Sequence, residues 1–234
     1  MTRALLVAVA LAAALPAAAE SPRWGTFEFA FSTYRPNIDS EIPDSRPFGT
    51  AFGTGHALMF RVDGAYTIFS QWGSLDVGLG AGYWGKSGKG RNLDGTVSSD
   101  STSIKIIPTR VTLTYRFDLF ANRYRWMPLA PYARFALERY NWWVTNGAGH
   151  VANFNGKGAS GATNGYSFSG GLALQLDAID PQLARDMDRN TGINHTYIFV
   201  EFTKSYIKDF GSSTSWNLSD DRAVQISGGI LFVF

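Results

Sequence analysis

The chain has 234 residues, 21 Lys and Arg against 19 Asp and Glu, and no Cys. The absence of Cys excludes a disulfide framework, a thiolate metal site and a cysteine-linked lipid anchor. A net charge of +2 makes no case for nucleic acid as a partner. Charged residues at 17% fall below the usual quarter, while aromatics reach 15% and Gly numbers 25, a composition of sheet, turns and long loops.

The chain opens on Met1, Thr2 and Arg3, then an apolar run over 4–15, then Ala17, Ala18 and Ala19 before Glu20. That order is the basic start, apolar stretch and small-residue cleavage site of a secretory signal peptide over residues 1–19. The apolar run, about 12 residues, is shorter than the roughly 20 a helical span needs. A single domain is expected over residues 20–234. No later stretch has the length of a membrane helix, so the exported chain is either soluble or crosses a membrane as a barrel.

Apolar and polar residues then alternate in eight successive runs. In 24–34, Phe27, Phe29 and Phe31 share one face, with Thr26, Glu28 and Ser32 on the other. In 56–71, Leu58, Phe60, Val62, Tyr66 and Ile68 oppose Arg61, Asp63 and Thr67. In 74–85, Leu75, Val77, Leu79 and Tyr83 oppose Asp76, Gly78 and Gly80, and in 103–120, Val111, Leu113 and Tyr115 oppose Arg110, Thr112 and Arg116. The runs 129–143, 165–178, 194–208 and 222–234 repeat the pattern around Arg134 and Glu138, Ser167 and Ser169, Glu201, and Gln225 and Ser227. Period two of this length argues half-buried strands. Pro108 and Pro131 are expected near strand ends, where a missing donor is tolerated.

Long connections rich in Gly, Ser, Asn and Asp (35–55, 86–102, 144–164 and 209–221) alternate with shorter ones at 71–74, 121–128 and 179–193. Four long outer loops and three inner turns are the pattern of an eight-stranded transmembrane barrel. In the third inner connection Asp180 as N-cap, Pro181 at the first helical position and Leu183 with Met187 predict a short periplasmic helix over 180–188.

Alternation alone does not say which face is wet. Three features favour lipid on the apolar side. Aromatics gather at strand ends, with Trp24, Trp72, Phe120, Trp126 and Phe234 at one rim and Tyr34, Tyr83, Trp84, Trp142, Trp143 and Tyr206 at the other, as in interfacial girdles. The polar rows carry mixed charges at mid-strand: Arg61, Asp63, Asp76, Arg110, Arg116, Arg134, Glu138 and Glu201. Inside a narrow barrel these are expected to pair into a network, which offsets their desolvation. The chain also ends on Ile230, Phe232 and Phe234, a pattern that resembles the C-terminal signature read by the insertion machinery of bacterial outer-membrane barrels.

A wider resemblance runs through Tyr34-Arg35-Pro36-Asn37-Ile38-Asp39, Pro131-Tyr132-Ala133, Leu176-Asp177 with Asp180-Pro181, Asn194-His195-Thr196-Tyr197 and Leu218-Ser219-Asp220. These stretches resemble a family of small outer-membrane β-barrel proteins from myxobacteria and relatives. The resemblance implies fold and location and supplies no activity.

Residues that would carry chemistry are sparse. The three His have no ligand spacing: His56 reads as a lipid-side residue near the outer rim, His150 falls in an outer loop and His195 at an inner strand start. Neither His56 nor His195 is followed by the Ser that a barrel deacylase would need. Asp220-Asp221 with His56 imitates an omptin-like site poorly, on too few strands. The acidic loop residues Asp39, Glu41, Asp44, Asp94, Asp100, Asp220 and Asp221 lack the spacing of a calcium loop, and the run 35–39 is expected to fold its loop over the mouth. Arg139, Lys204 and Arg222 have lipid-side parity at outer strand ends, where they either contact lipopolysaccharide phosphates or snorkel into water. The expected protein is therefore an all-β, up-and-down antiparallel transmembrane barrel, non-enzymatic and without cofactor. Its role is structural or surface-interacting, the alternative being a narrow channel or a binder of small or hydrophobic molecules. Outer-membrane lipid, lipopolysaccharide and the insertion machinery are its expected partners.

Overall fold

The computed structural model describes residues 22–234 apart from 43, 92–95, 125 and 155. The expected signal peptide, residues 1–19, lies outside the described residues. Eight strands form one sheet: β1 (Gly25–Tyr34), β2 (Ala57–Phe69), β3 (Ser74–Arg91), β4 (Val97–Arg116), β5 (Leu129–Thr145), β6 (Ser160–Gln175), β7 (His195–Ile207) and β8 (Gln225–Val233). Each pairs antiparallel with its neighbours along the chain, and β1 pairs with β8, so the sheet closes as an up-and-down barrel. The seam runs through Phe27↔Phe232 and Phe29↔Ile230. Beyond it the Trp24 N–H donates to the Phe234 carbonyl at 2.7 Å and the Phe234 N–H to Gly25 at 2.9 Å. Closure leaves the sheet without an edge.

The alternation decides what each face meets. Leu58 and Leu79 are 63% and 68% exposed on the outer wall, whereas Arg110 and Glu201 are 4% and 0% exposed within. A soluble barrel would show the reverse. Eight strands enclose a lumen only wide enough for side chains, and apolar clusters occupy both ends of it. At the outer mouth Tyr34, Met59, Trp84, Ile104, Ile106, Tyr140 and Ile207 pack with Ile38, Phe48 and Leu218 from the loops. Toward the inner end Tyr132, Tyr197, Phe199, Leu231 and Val233 pack with several Ala.

Inner connections are a tight turn, a short helix α2 (Leu119–Arg123) and a longer helix α3 (Pro181–Thr191). In the turn, Gly73 has φ +119°, and a Cβ there would meet the Arg116 carbonyl at 2.6 Å, so only Gly fits. Helix α3 starts where expected. The Asp180 carboxylate accepts from the Gln182 and Leu183 N–H groups, and Gly192 ends the helix in the left-handed conformation, beyond the predicted residue 188. In the first outer loop a further helix, α1 (Pro47–Phe52), sets Phe48 onto the mouth cluster.

Four sequence expectations need correction. Tyr34 and Trp84 are not girdle residues: they are 1% and 0% exposed, their rings meet edge-on at 5.3 Å, and the Trp84 indole donates to the Tyr34 carbonyl at 3.1 Å. Their parity is that of Glu28 and Asp76, which points inward. Trp142 likewise packs half-buried against the mouth and stacks on Trp216 at 4.1 Å. Trp24, Trp72, Phe120 and Trp126 do stand exposed at the inner rim, and Tyr83 and Tyr206 at the outer one.

Residues 86–91, 97–102 and much of 144–164 are strand and not loop. β3 and β4 stay paired through Lys86↔Ile104 and Gly88↔Thr102, and β5 and β6 up to Trp143↔Ser160. The 20 residues of β4 are about twice the 9–11 that cross a bilayer. Above the apolar band nothing compels alternation, so the strands read as polar loop. Pro108 sits inside β4, and the ladder to β3 skips from Ala81↔Thr109 to Trp84↔Ile106 where its N–H is missing. Finally, β8 begins at Gln225, and residues 222–224 belong to the loop.

Trp84→Ala should lower the unfolding free energy in urea by about 3–5 kcal/mol, the cost of a large core cavity. Trp72→Ala, at an exposed turn, should change it by less than about 1 kcal/mol. Equal effects of the two would mean that Trp84 belongs to the rim after all.

Candidate functional site

The inward rows of β1, β2, β4, β5 and β7 bring five charged residues of the expected network together with one the sequence reading left out, Glu28. Arg134 on β5 meets Glu28 on β1 through two bonds, Nη1–Oε1 at 3.1 Å and Nη2–Oε2 at 2.6 Å. The same guanidinium stands 2.9 Å from Oε2 of Glu201 on β7 and donates through Nε to Thr114 at 3.0 Å. Arg61 on β2 donates to Oε1 of Glu201 at 3.1 Å and to Ser227 at 3.3 Å. Arg110 on β4 grips Asp63 on β2 through Nε and Nη2, each at 2.6 Å. Three guanidiniums thus face three carboxylates in bidentate and shared pairs. Gly80 makes room for them, because a Cβ there would lie 1.8 Å from Oδ1 of Asp63.

Nearer the inner end Arg116 lies 3.5 Å from both Asp76 and Asp118 and over the Tyr197 ring. Ser74 donates to Asp118 and Thr67 to Asp76. Glu138 faces the lumen but stays out of the ion pairs. It accepts a hydrogen bond from the Ser167 hydroxyl, although Arg110 is its neighbour across the β4–β5 ladder. Glu28 carried no local signal beyond its polar parity, because its partner lies on the opposite wall.

A second cluster forms at the outer mouth, where ring closure brings the first and last loops together. Arg35 donates to Asp39 at 2.5 Å and to Asp221 at 2.7 Å. Asp39 also accepts from the Phe48 and Gly49 N–H groups and so pins α1 over the lumen. His56 is not on the lipid-facing row: it precedes β2, and its Nε2 meets Oδ1 of Asp221 at 2.7 Å. Asp220 pairs with Arg222 at 2.8 Å. The side chains of His56, Asp220 and Asp221 offer atoms within 4.8 Å of one another, yet both carboxylates already face an arginine. Burial works against the charge of Asp221, but the bonds from Arg35 and His56 outweigh it and hold the carboxyl below its ordinary value. Of the other loop acids, Glu41 pairs with Lys208 at 2.9 Å, Asp44 and Asp100 are exposed, and Asp94 lies outside the described residues. At the inner rim Asp177 is similarly desolvated, and bonds from His195, Gln175 and the Thr196 N–H keep it below its ordinary value.

The three basic residues with outward parity are placed differently from one another. Arg139 is exposed on the wall, where Asn141 and Asn164 accept from it at 3.3 and 3.2 Å. Lys204 lies 5.8 Å from the centre of the Tyr206 ring. Arg222 is in the loop, with its donors given to Asp220 and to Thr33. At the C-terminus Ile230 is exposed on the wall, while Phe232 and Phe234 are half-buried there.

No protein-family model and no curated protein matches this chain. Solved structures that resemble it include a Neisserial surface protein A, at 13% identity and a TM-score of 0.49, over 92% of this chain and 99% of that one. The N-terminal β-barrel domain of Pseudomonas aeruginosa OprF follows at 11% and 0.41, over 92% and 100%. Ail, the attachment invasion locus protein of Yersinia pestis, stands at 9% and 0.38, over 92% and 100%. At such identity and superposition these likenesses bear on neither residues nor activity.

Arg134→Met should strand Glu28 and part of Glu201 and cost about 3–5 kcal/mol in urea unfolding. Glu138→Gln removes no ion pair and should cost less than about 1.5 kcal/mol. Matching losses would show that Glu138 is as deeply engaged as Arg134.

The loop clamp should respond to acid. The Asp221 carboxyl is depressed in the folded state, so its stabilisation is complete above the ordinary carboxylate pKa of about 3.9 and is lost as pH falls through the lower folded value. Protease cleavage within residues 35–56 should stay slow at pH 5–7 and rise only below about pH 4, whereas Asp221→Asn should be cleaved readily throughout. Cleavage that rises already between pH 7 and 5 would show that the Asp221 carboxylate does not hold the clamp.

Proposed function

We propose that this protein is an integral outer-membrane barrel of a Gram-negative cell envelope, with a structural or surface-interaction role and a lumen closed to conduction. The observation that carries the reading is the inverted polarity of the wall, apolar and exposed outside, charged and buried within. Only a solvent as apolar as lipid makes that arrangement favourable. Among the paired charges, the void lined by Glu28, Asp63, Asp76, Arg116 and Arg134 leaves about 10 Å³ for solvent, scarcely one water. Apolar clusters at both ends argue further against an aqueous path. The resemblance to myxobacterial barrels and the Ile230, Phe232 and Phe234 pattern, which the insertion machinery would read, fit this location.

The surface role follows from the uneven wall. The hairpins β3–β4 and β5–β6 rise well past the apolar band, while the rest of the rim is held down by the Arg35–Asp221 clamp. That offers a one-sided sheet to an external partner. Among the described residues no group in the mouth combines a nucleophile with a base, so catalysis is no part of the proposal.

Purified protein should migrate differently before and after boiling in detergent gels, float with outer-membrane vesicles, and give no steady conductance in planar bilayers. Recovery in the soluble periplasmic fraction would overturn the membrane reading. Stable channels in the unmodified protein would replace the closed barrel by a narrow pore.

A further inference from the structure

Besides the lumen, the outer wall carries a groove of about 510 Å³ whose floor is Leu79, Val111 and Leu137. These three stand side by side across β3, β4 and β5 in one row of the ladder. The next row toward the outside reads Ala81, Thr109, Arg139 and Asn164. Small Ala81 and Thr109 keep the upper groove open, and the charge of Arg139 sits where the apolar floor ends.

Arg139 is held ready there. Asn141 and Asn164 accept from its Nε and Nη1, which fixes the guanidinium plane, and the Thr109 hydroxyl donates to its carbonyl at 3.1 Å. The side wall is Phe210, 67% exposed. Asp209 and Phe210 have φ of +43° and +56°, two successive left-handed residues without a Gly. Such backbone is costly and persists only where other contacts fix it. Here Asp209 is tied to Asn164 by three bonds, from its own N–H to the Asn164 carbonyl and from the Asn164 N–H and amide to its carboxylate. The same Asn164 therefore positions both Arg139 and Phe210. Phe210 in turn continues the ring stack of Tyr166 and Tyr206. The Asp209 carboxylate stands against an anion here, but its oxygens are taken by Asn164 and Ser215.

We infer that this groove binds one acyl chain of a phosphorylated glycolipid of the outer leaflet, with Arg139 on its phosphate. An apolar trough under a preorganised guanidinium matches a chain below a phosphate, and the planar fork suits phosphate in two-point contact. The inference rests on the membrane reading above and adds to it a defined lipid site.

Native mass spectrometry of the protein released from detergent micelles tests it, with bis-phosphorylated lipid A, its dephosphorylated form and phosphatidylglycerol as probes. The expected result is one lipid A retained per barrel. Removing the phosphates, or Arg139→Gln, should each weaken retention about tenfold, the worth of one charge-assisted contact. Val111→Trp should fill the trough and abolish retention, while the heat-dependent gel shift shows that the barrel still folds. Equal retention of all three lipids, or an unchanged Arg139→Gln, would reduce the groove to ordinary lipid contact and overturn the inference. Phosphatidylglycerol held as tightly as lipid A, or a second copy of the chain in place of lipid, would overturn it too. A barrel that floats with vesicles yet retains no lipid defeats this inference alone. One that fails to float defeats the membrane reading instead.

Discussion

Arg134 spans the lumen, with one carboxylate from β1 and another from β7 on its guanidinium. Each of these ions alone would be costly to bury, since desolvation of a single charge takes several kcal/mol. Set against one another, Glu28, Asp63 and Glu201 balance Arg61, Arg110 and Arg134 charge for charge. The pairs cross between walls that backbone ladders join only around the circumference. They thereby fix the radius that the strand number permits. Room for them depends on the glycines of β3, above all Gly80, which leave the inner face of that strand bare beside Asp63.

This constraint shapes both ends. A tightly paired middle lets apolar residues close above and below it: Trp84, Tyr34 and Tyr140 toward the mouth, and Tyr197, Phe199 and Val233 toward the inner side. On the proposed reading of a closed lumen, the loops are left to serve the outside. One side of the rim rises as paired strands and the other is pinned by Arg35, Asp39 and Asp221, so the external surface is lopsided. The outer wall, in turn, carries a polar group beside its apolar rows around Arg139 and Asn164.

Much of this was legible in the residues, because a strand with one face in lipid and one in a lumen must alternate. The eight runs and their order follow from period two, and their facing from the mixed charges at mid-strand as well. The failures have physical causes as well. Tyr34 and Trp84 are rim-like by composition and interior by parity, and parity decides. Residues 86–91 and 97–102 read as loop because strands beyond the apolar band have no apolar row to show. Glu28 stood alone on its strand, and nothing near it in sequence announces a partner about 100 residues away on β5. The meeting of His56 with Asp221 needs loops that only ring closure makes neighbours.

The claim on which all of this rests is that the apolar row faces lipid. The chain has no Cys, so single Cys variants along β8, from Gln225→Cys to Val233→Cys, can each carry a spin label in vesicles. Accessibility to oxygen against a water-soluble nickel chelate reads the environment of every position. Ile226, Gly228, Ile230 and Phe232 should favour oxygen with a period of two, and the residues between them should be shielded from both reagents. Nickel access at Ile226 and Ile230 would put that row in water and contradict the account.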